Sequence, residues 1–415
     1  MYDSIIFNGN MVAYTQAAIA AFIITTHEKA FLIDPQTHAF QHDTSYLMSK
    51  NSKGEQKVKT SIQKLADALG EPVASKLALG LPVVPEDFKE QIVVDAFAKN
   101  VIGFQRNIID AIKEQDDWKY LEFKLKDQDL GEPVPAGLIA PYFYMSEMSY
   151  ARWLDTNYKL INAAATQAGG IELIAQLVIS KDILGSDEAL GKIIESYGNS
   201  EAGTIALWVD MFNTVEASKA DLQGFKKLAE GLKAKGKKVV DLYGGYFSIL
   251  LCKKGILDGV CNGLEYGESR AVIPVGGGIP MAKYYFYPLH YRMRFTDLIT
   301  VHRAMGWNEK PDGFKDGVCS CEKCADGDIE KYGITTPVRI KRKAGVVTLN
   351  YPTPETKERS LLHYLNCKKR EFDTVQSKDL DSLLQEMTDS VKTYEPVLGI
   401  DTVSHLRRWV DVLSS

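Results

Sequence analysis

The segment Cys319-Ser320-Cys321-Glu322-Lys323-Cys324 gathers three of the chain's six cysteines into one short turn. No other feature restricts the local fold as much. C-x-C-x-x-C presents three sulfurs to one point, and thiolates hold zinc tetrahedrally at about 2.3 Å. The fourth ligand must come from elsewhere in the chain. His363 and Cys367 stand four residues apart on a helix expected over 360–372 and so share a face. Either closes the set, as three thiolates with an imidazole or as four thiolates. A closed site implies structural zinc, because catalytic zinc keeps a position open for water or substrate.

The rest of the chain sets the context for that cluster. With 415 residues, it is long for one ordinary domain but suits an α/β barrel with insertions. A net charge of −5 argues against a protein that coats nucleic acid indiscriminately and confines any such contact to a local patch. The start Met1-Tyr2-Asp3-Ser4-Ile5-Ile6-Phe7 lacks the pattern of a signal peptide, and the best apolar stretch, 17–25, is too short to span a bilayer. A cytoplasmic protein without membrane contact is expected, with reduced cysteines that favour metal over disulfides. Cys252 and Cys261, in apolar surroundings, are expected in the core.

Short apolar runs alternate with helical patterns. Strands are expected at 30–34, 136–143, 173–180, 204–210, 238–243, 258–264 and 283–290. Between two of them, residues 218–235 form an amphipathic helix with Leu222, Phe225, Leu228, Ala229 and Leu232 on one stripe, ended by Gly236. Near-continuous hydrophobic strands joined by helices fit a parallel sheet closed on itself. The expected fold is therefore a TIM (β/α)8 barrel over 1–317, with a helical insertion at about 52–115. A zinc-binding and helical region follows over 318–415 and includes a basic strand at 337–349.

In such a barrel the active site lies at the C-terminal ends of the strands. The strand ends supply Asp34, Asp210, Asp241 with Tyr243, Glu265 and Glu268, then His290 and Arg292. No His-x-His pair, His-Glu-x-x-His helix, Gly-x-Gly-x-x-Gly turn or P-loop occurs, so neither a catalytic metal nor a nucleotide cofactor has a motif. The glycine run at 276–278 reads as a loop. Two basic runs, Arg339-Ile340-Lys341-Arg342-Lys343 and Lys368-Lys369-Arg370, flank the metal loop and are expected to form one basic face able to hold phosphates.

The segment Asp258-Gly259-Val260-Cys261-Asn262-Gly263-Leu264-Glu265-Tyr266-Gly267-Glu268, the three cysteines and Leu361-Leu362-His363-Tyr364-Leu365 occur in that order. In this the chain resembles the tRNA-guanine transglycosylase superfamily, which includes queuine and archaeosine enzymes and a branch acting on DNA. The resemblance implies exchange of guanine for a 7-deazaguanine base in DNA or tRNA. It also implies a base pocket built from Tyr243, Gly263, Leu264, Gly267 and Glu268, and zinc at Cys319, Cys321 and Cys324 with His363 or Cys367. Of the catalytic pair, Asp34 is expected as nucleophile or acid/base and Asp210 at the base edge. The family's D-S-G-G-F-Q segment is replaced here by Ala140-Pro141-Tyr142-Phe143-Tyr144-Met145, and its F-D-C-V-x-P-T-R segment has no counterpart. The alternative expectation is a noncatalytic zinc-containing barrel that binds nucleic acid or a modified base, as a homodimer or with an assembly partner. An unrelated barrel hydrolase is a third.

Overall fold

The computed structural model describes residues 3–26, 29–50, 55–124, 133–263, 268–273, 283–342 and 345–415. It is a mixed α/β structure. Strand β1 (Ser4–Asn8) runs parallel to β2 (Ala30–Asp34), from Ser4 opposite Ala30 to Asn8 opposite Asp34. A small antiparallel ribbon, β3 (Met48–Lys50) with β4 (Gln56–Val58), follows. The largest sheet has five strands in chain order: β5 (Leu138–Ile139), β6 (Leu173–Ser180), β7 (Thr204–Asp210), β8 (Lys238–Asp241) and β9 (Gly259–Val260). The pairs from β5 to β8 are parallel.

The chain divides into two compact units: 1–211 with 227–242 and 271–274, and 212–226 with 243–270 and 275–415. The first owes its core to continuous apolar strands. All eight residues of β6 are buried, as are six of the seven of β7, the pattern of a sheet covered on both faces. A backbone bond from Ala136 N–H to Phe31 O, 2.9 Å, carries the parallel succession from β2 toward β5. Beyond β5, Pro141 cannot donate to a ladder. The following amides turn to side chains instead: Tyr142 N–H donates to Thr37 Oγ1 (2.9 Å) and Phe143 N–H to Asn157 Oδ1 (2.9 Å). This is why the strand expected over 136–143 is so short. Pairing resumes where Met145 N–H meets Val178 O at 2.9 Å.

The amphipathic helix extends over Lys219–Ala234, with its apolar stripe buried. It ends at Gly236 in the left-handed region, φ 79°, where Lys237 N–H reaches back to Leu232 O at 3.2 Å. The expected insertion at about 52–115 opens on β4 and carries a succession of separate helices, from Thr60–Leu69 to Asp116–Lys124.

In the second unit, β10 (Lys283–Phe286) and β11 (Tyr291–Arg294) form an antiparallel hairpin where one strand over 283–290 was expected. The chain reverses at Tyr287–Leu289, and His290 follows with φ 52°. The basic strand expected over 337–349 is likewise two strands, β12 (Thr335–Arg342) and β13 (Gly345–Pro352), with Arg342 opposite Gly345. Helices Pro354–Ser377, Leu380–Leu398 and Ile400–Leu413 complete the chain.

Among the described residues, β1–β2 and the five-stranded sheet are separate hydrogen-bonded sets rather than one closed barrel. Cys252 and Cys261 are half-buried rather than core residues. No helix among the described residues is long and apolar enough to cross a membrane.

Candidate active site and metal centre

Asp34 ends β2 and is 6% exposed. Its Oδ1 accepts from the Tyr142 hydroxyl at 2.6 Å and from Gln36 N–H at 2.9 Å. Gln36 reaches that position with φ 52°. The His38 ring lies over Tyr142, centroids 5.2 Å apart and planes 20° from parallel, with Nδ1 at 2.9 Å from the Tyr142 hydroxyl. Because that hydroxyl gives its proton to Asp34, it accepts from Nδ1–H, which fixes the His38 tautomer. Trp208, on β7, sets its edge against His38 at 5.0 Å. Tyr142, His38 and Trp208 thus form a chain of three rings that starts at the buried carboxylate.

The close approach of β1 to β2 also shapes this corner. A Cβ at Gly9 would lie 2.6 Å from Asp34 O and 3.2 Å from Pro35 Cα, so only glycine fits without moving backbone.

Asp210 ends β7, two residues after Trp208. Its Oδ1 accepts from Val272 N–H at 2.8 Å, and the Tyr144 hydroxyl stands 3.4 Å from Oδ2. Burial, then the Asp210 charge, pushes the Tyr144 hydroxyl up to about 12. It therefore stays protonated and able to donate at neutral pH. Tyr142 and Tyr144 alternate on an extended segment, so one stretch serves both carboxylates.

Asp34 and Asp210 are expected from the sequence as strand ends, whereas Tyr142, His38, Tyr144 and Trp208 join them only in the fold. The usable signal was the Tyr-x-Tyr alternation after Pro141, beside a histidine four residues beyond Asp34.

The second unit holds the cysteine cluster. Cys319, Cys321, Cys324 and His363 bring one ligand atom each to within 4.8 Å of one another. His363 Nδ1 is 3.6, 3.5 and 3.4 Å from the three sulfurs in that order. Bonds of about 2.3 Å to sulfur and 2.05 Å to nitrogen at the tetrahedral angle place nitrogen and sulfur ~3.6 Å apart, so the cluster has the dimensions of a metal site. The opposite nitrogen, Nε2, is 2.8 Å from Tyr285 O. That bond requires Nε2–H and leaves the Nδ1 lone pair for an ion. Tyr284 stacks on the imidazole at 4.1 Å, and its hydroxyl is raised well above its ordinary value by burial and the Cys324 charge.

Cys367, the other candidate, is not in the set. Its sulfur is 3.8 Å from Nδ1 and 3.6 Å from Nε2, nearly equidistant, and so lies off the Nδ1 lone-pair axis. His363 rather than Cys367 completes the set that could hold a metal ion.

The expected base pocket divides. Leu264 and Gly267 lie outside the described residues, as do Glu265 and the glycine run at 276–278. Tyr243, Gly263 and Glu268 belong to the second unit. The Tyr243 hydroxyl accepts from Arg270 Nη1 at 2.7 Å, and Gly263 is half-buried. Glu268 pairs with Lys368, which is 5% exposed and also bonds Glu371 Oε2 at 2.8 Å and the Tyr285 hydroxyl at 2.8 Å. Although burial opposes both charges, Glu268 and Glu371 raise the Lys368 ammonium and Lys368 lowers the Glu371 carboxyl. His290 Nδ1 meets Glu371 Oε1 at 2.7 Å and its ring stacks on Tyr246 at 3.5 Å.

This network takes one residue, Lys368, out of the expected basic face. Lys368 is internal, Lys369 pairs with Asp373 at 2.5 Å, and Arg370 donates to Val318 O at 3.0 Å while covering the Tyr287 ring. Of the second basic run, Lys368 is thus internal, while Lys369 and Arg370 stay at the surface with partners from the protein itself.

Fold and site together define a mixed α/β protein with a parallel sheet, a buried carboxylate at the end of β2 and a half-buried one at the end of β7, and a Cys3His set of metal-binding dimensions. Comparison with protein-family models, with curated proteins and with solved structures gives no match.

Proposed function

We propose that the protein is a zinc-containing barrel of the transglycosylase type that exchanges guanine for a 7-deazaguanine base in nucleic acid. The observation that carries this reading is that Asp34 and Asp210 lie at the C-terminal ends of parallel strands, Asp34 bonded to Tyr142, on which His38 and then Trp208 pack, and Asp210 facing Tyr144. Strand-end carboxylates are where a barrel keeps its chemistry, and aromatic faces suit a base taken out of its stack. The parallel succession β1-β2 and β5 to β8, joined by the Ala136 bond to Phe31, supports the barrel.

In this mechanism Asp34 attacks the anomeric carbon, guanine leaves with the bonding pair and takes up a proton, and the incoming base displaces Asp34 after losing one. Tyr142, held by His38, aims the carboxylate. Asp210, fixed by the Val272 amide, receives the base edge. The Cys3His set fits zinc as the hard-to-displace occupant of a closed thiolate-rich site. Its part is structural, holding the turn of residues 319–324 against helix Pro354–Ser377.

The noncatalytic binder remains the rival, favoured by the two hydrogen bonds already on Asp34 Oδ1. The purified protein is incubated with labelled guanine and, separately, with DNA and tRNA, beside Asp34→Ala and Asp210→Ala. Label entering one polymer, lost in both variants, supports exchange. No label in either polymer, with metal bound and circular dichroism intact, rejects it in favour of binding alone.

A further inference from the structure

The ribbon β12–β13 is the strongest surface feature left unused. Each strand has eight residues, so the ribbon reaches about 27 Å. Residues 335–340 and 345–351 are exposed or half-exposed. The register places Val338 opposite Leu349 and Ile340 opposite Val347 on one face, with Arg339 opposite Thr348 on the other. Among the described residues both faces keep exposed apolar side chains: Val338 is 41% and Val347 37% exposed on the first, and Val346 is 65% exposed on the second.

The charge is one-sided. From Gly333 to Pro354 the chain carries Arg339, Lys341, Arg342 and Lys343 and no acidic residue, inside a protein of net charge −5. Among the described residues Arg339 forms no ion pair, in contrast to Lys368 and Lys369.

We infer that the β12–β13 ribbon is an arm that enters the major groove of B-form DNA. The inference rests on the reading of the protein as acting on nucleic acid, and selects the polymer. A two-stranded ribbon, its strands about 4.8 Å apart, fits the ~12 Å major groove of B-DNA. The major groove of duplex RNA is too narrow and deep for one. The cations neutralise phosphates, while exposed valines on the same ribbon meet thymine methyl groups.

The test measures binding of the full chain to a labelled 30-base-pair DNA duplex, the same sequence as duplex RNA, and tRNA, across a salt series. The wild type is compared with the Arg339→Gln/Lys341→Gln/Arg342→Gln variant, with metal content as the check on folding. Wild type is expected to prefer duplex DNA. The variant is expected to bind it about tenfold or more weakly, with the log–log salt slope shallower by about 0.9 per lost contact. Equal or tighter binding to duplex RNA or tRNA overturns the inference, as does unchanged DNA affinity in the variant. Loss of self-association in the variant with DNA binding unaltered overturns it too, and assigns the ribbon to a second copy of the chain. Base exchange that survives with unchanged DNA affinity would refute the ribbon alone. DNA binding lost in the variant, without base exchange by wild type, would refute the exchange reading alone.

Discussion

Replacing His363 and Cys367 one at a time separates the two candidates for the fourth metal ligand. Apparent binding free energies of structural zinc are on the order of 10–16 kcal/mol, so each of four ligands accounts for about 2.5–4 kcal/mol, or roughly 70- to 900-fold in affinity. His363→Ala removes the nitrogen that stands 3.4–3.6 Å from all three sulfurs. It also removes the bond to Tyr285 O and the ring stacked on Tyr284, leaving a cavity where the side chain was fully buried. Cys367→Ser changes one buried atom that lies off the Nδ1 axis. Its effect is a modest loss of stability, about 1–2 kcal/mol for a misplaced buried hydroxyl. The assay is metal content per chain after dialysis against a weak chelator, with a competitive zinc titration. One equivalent is expected in wild type and Cys367→Ser, and less than about a tenth in His363→Ala given the lost affinity. Metal retained by His363→Ala but lost from Cys367→Ser would refute the geometric argument and place the thiolate in the coordination sphere.

Three further outcomes follow from buried groups. Lys368→Met removes one charge from a buried set and leaves Glu268 and Glu371 facing each other; chemical denaturation should show a loss of about 3–5 kcal/mol, and a loss below 1 would mean that water reaches these carboxylates. Gly9→Ala forces a Cβ to within 2.6 Å of Asp34 O, so a drop in melting temperature corresponding to about 1–3 kcal/mol is expected, with an unchanged value showing that the β1–β2 corner yields freely. Burial lowers His42 and His405 from 6.5 to about 4 each. The unfolded chain therefore binds more protons between those values, and stability falls as pH drops from 6.5 to 4, by up to about 3 kcal/mol per histidine. Denaturation midpoints that stay flat across that window, or His42→Gln/His405→Gln variants that keep the full slope, would contradict this assignment.

The uneven legibility of this chain in its sequence has a physical cause. Strands β6 and β7 were readable to the residue because a strand buried on both faces needs a near-continuous apolar run, broken within β6 by Gln176. The cysteine turn was readable because chelation fixes its spacing. The hairpins at 283–294 and 335–352 were read as single strands, since a hydrophobic pattern does not show which partner a strand pairs with and Gly345 was the only local mark of the second reversal. Lys368 looked like a surface cation because charge alone suggests solvent. Its partners sit three residues along the helix, at Glu371, and a hundred residues upstream, at Glu268, so only the fold could reveal an internal ion cluster.

The carboxylate corner lies between these cases. Asp34 was visible as a strand end, but Tyr142 approaches it from 108 positions away and His38 acts through that tyrosine. The hydrogen bonds on one carboxylate oxygen do not by themselves separate a positioned nucleophile from a structural cap. Tyr142→Phe does separate them. It deletes one donor to Asp34 and leaves the ring in place, so a cap would lose stability, by about 1.5–3 kcal/mol for a bond to a charged group, with no effect on the turnover of well-folded protein. A positioned nucleophile would lose exchange rate as well, in protein held well below its melting temperature. Exchange by Tyr142→Phe at the wild-type rate would remove the tyrosine from the mechanism while leaving Asp34 to be judged by its own substitution.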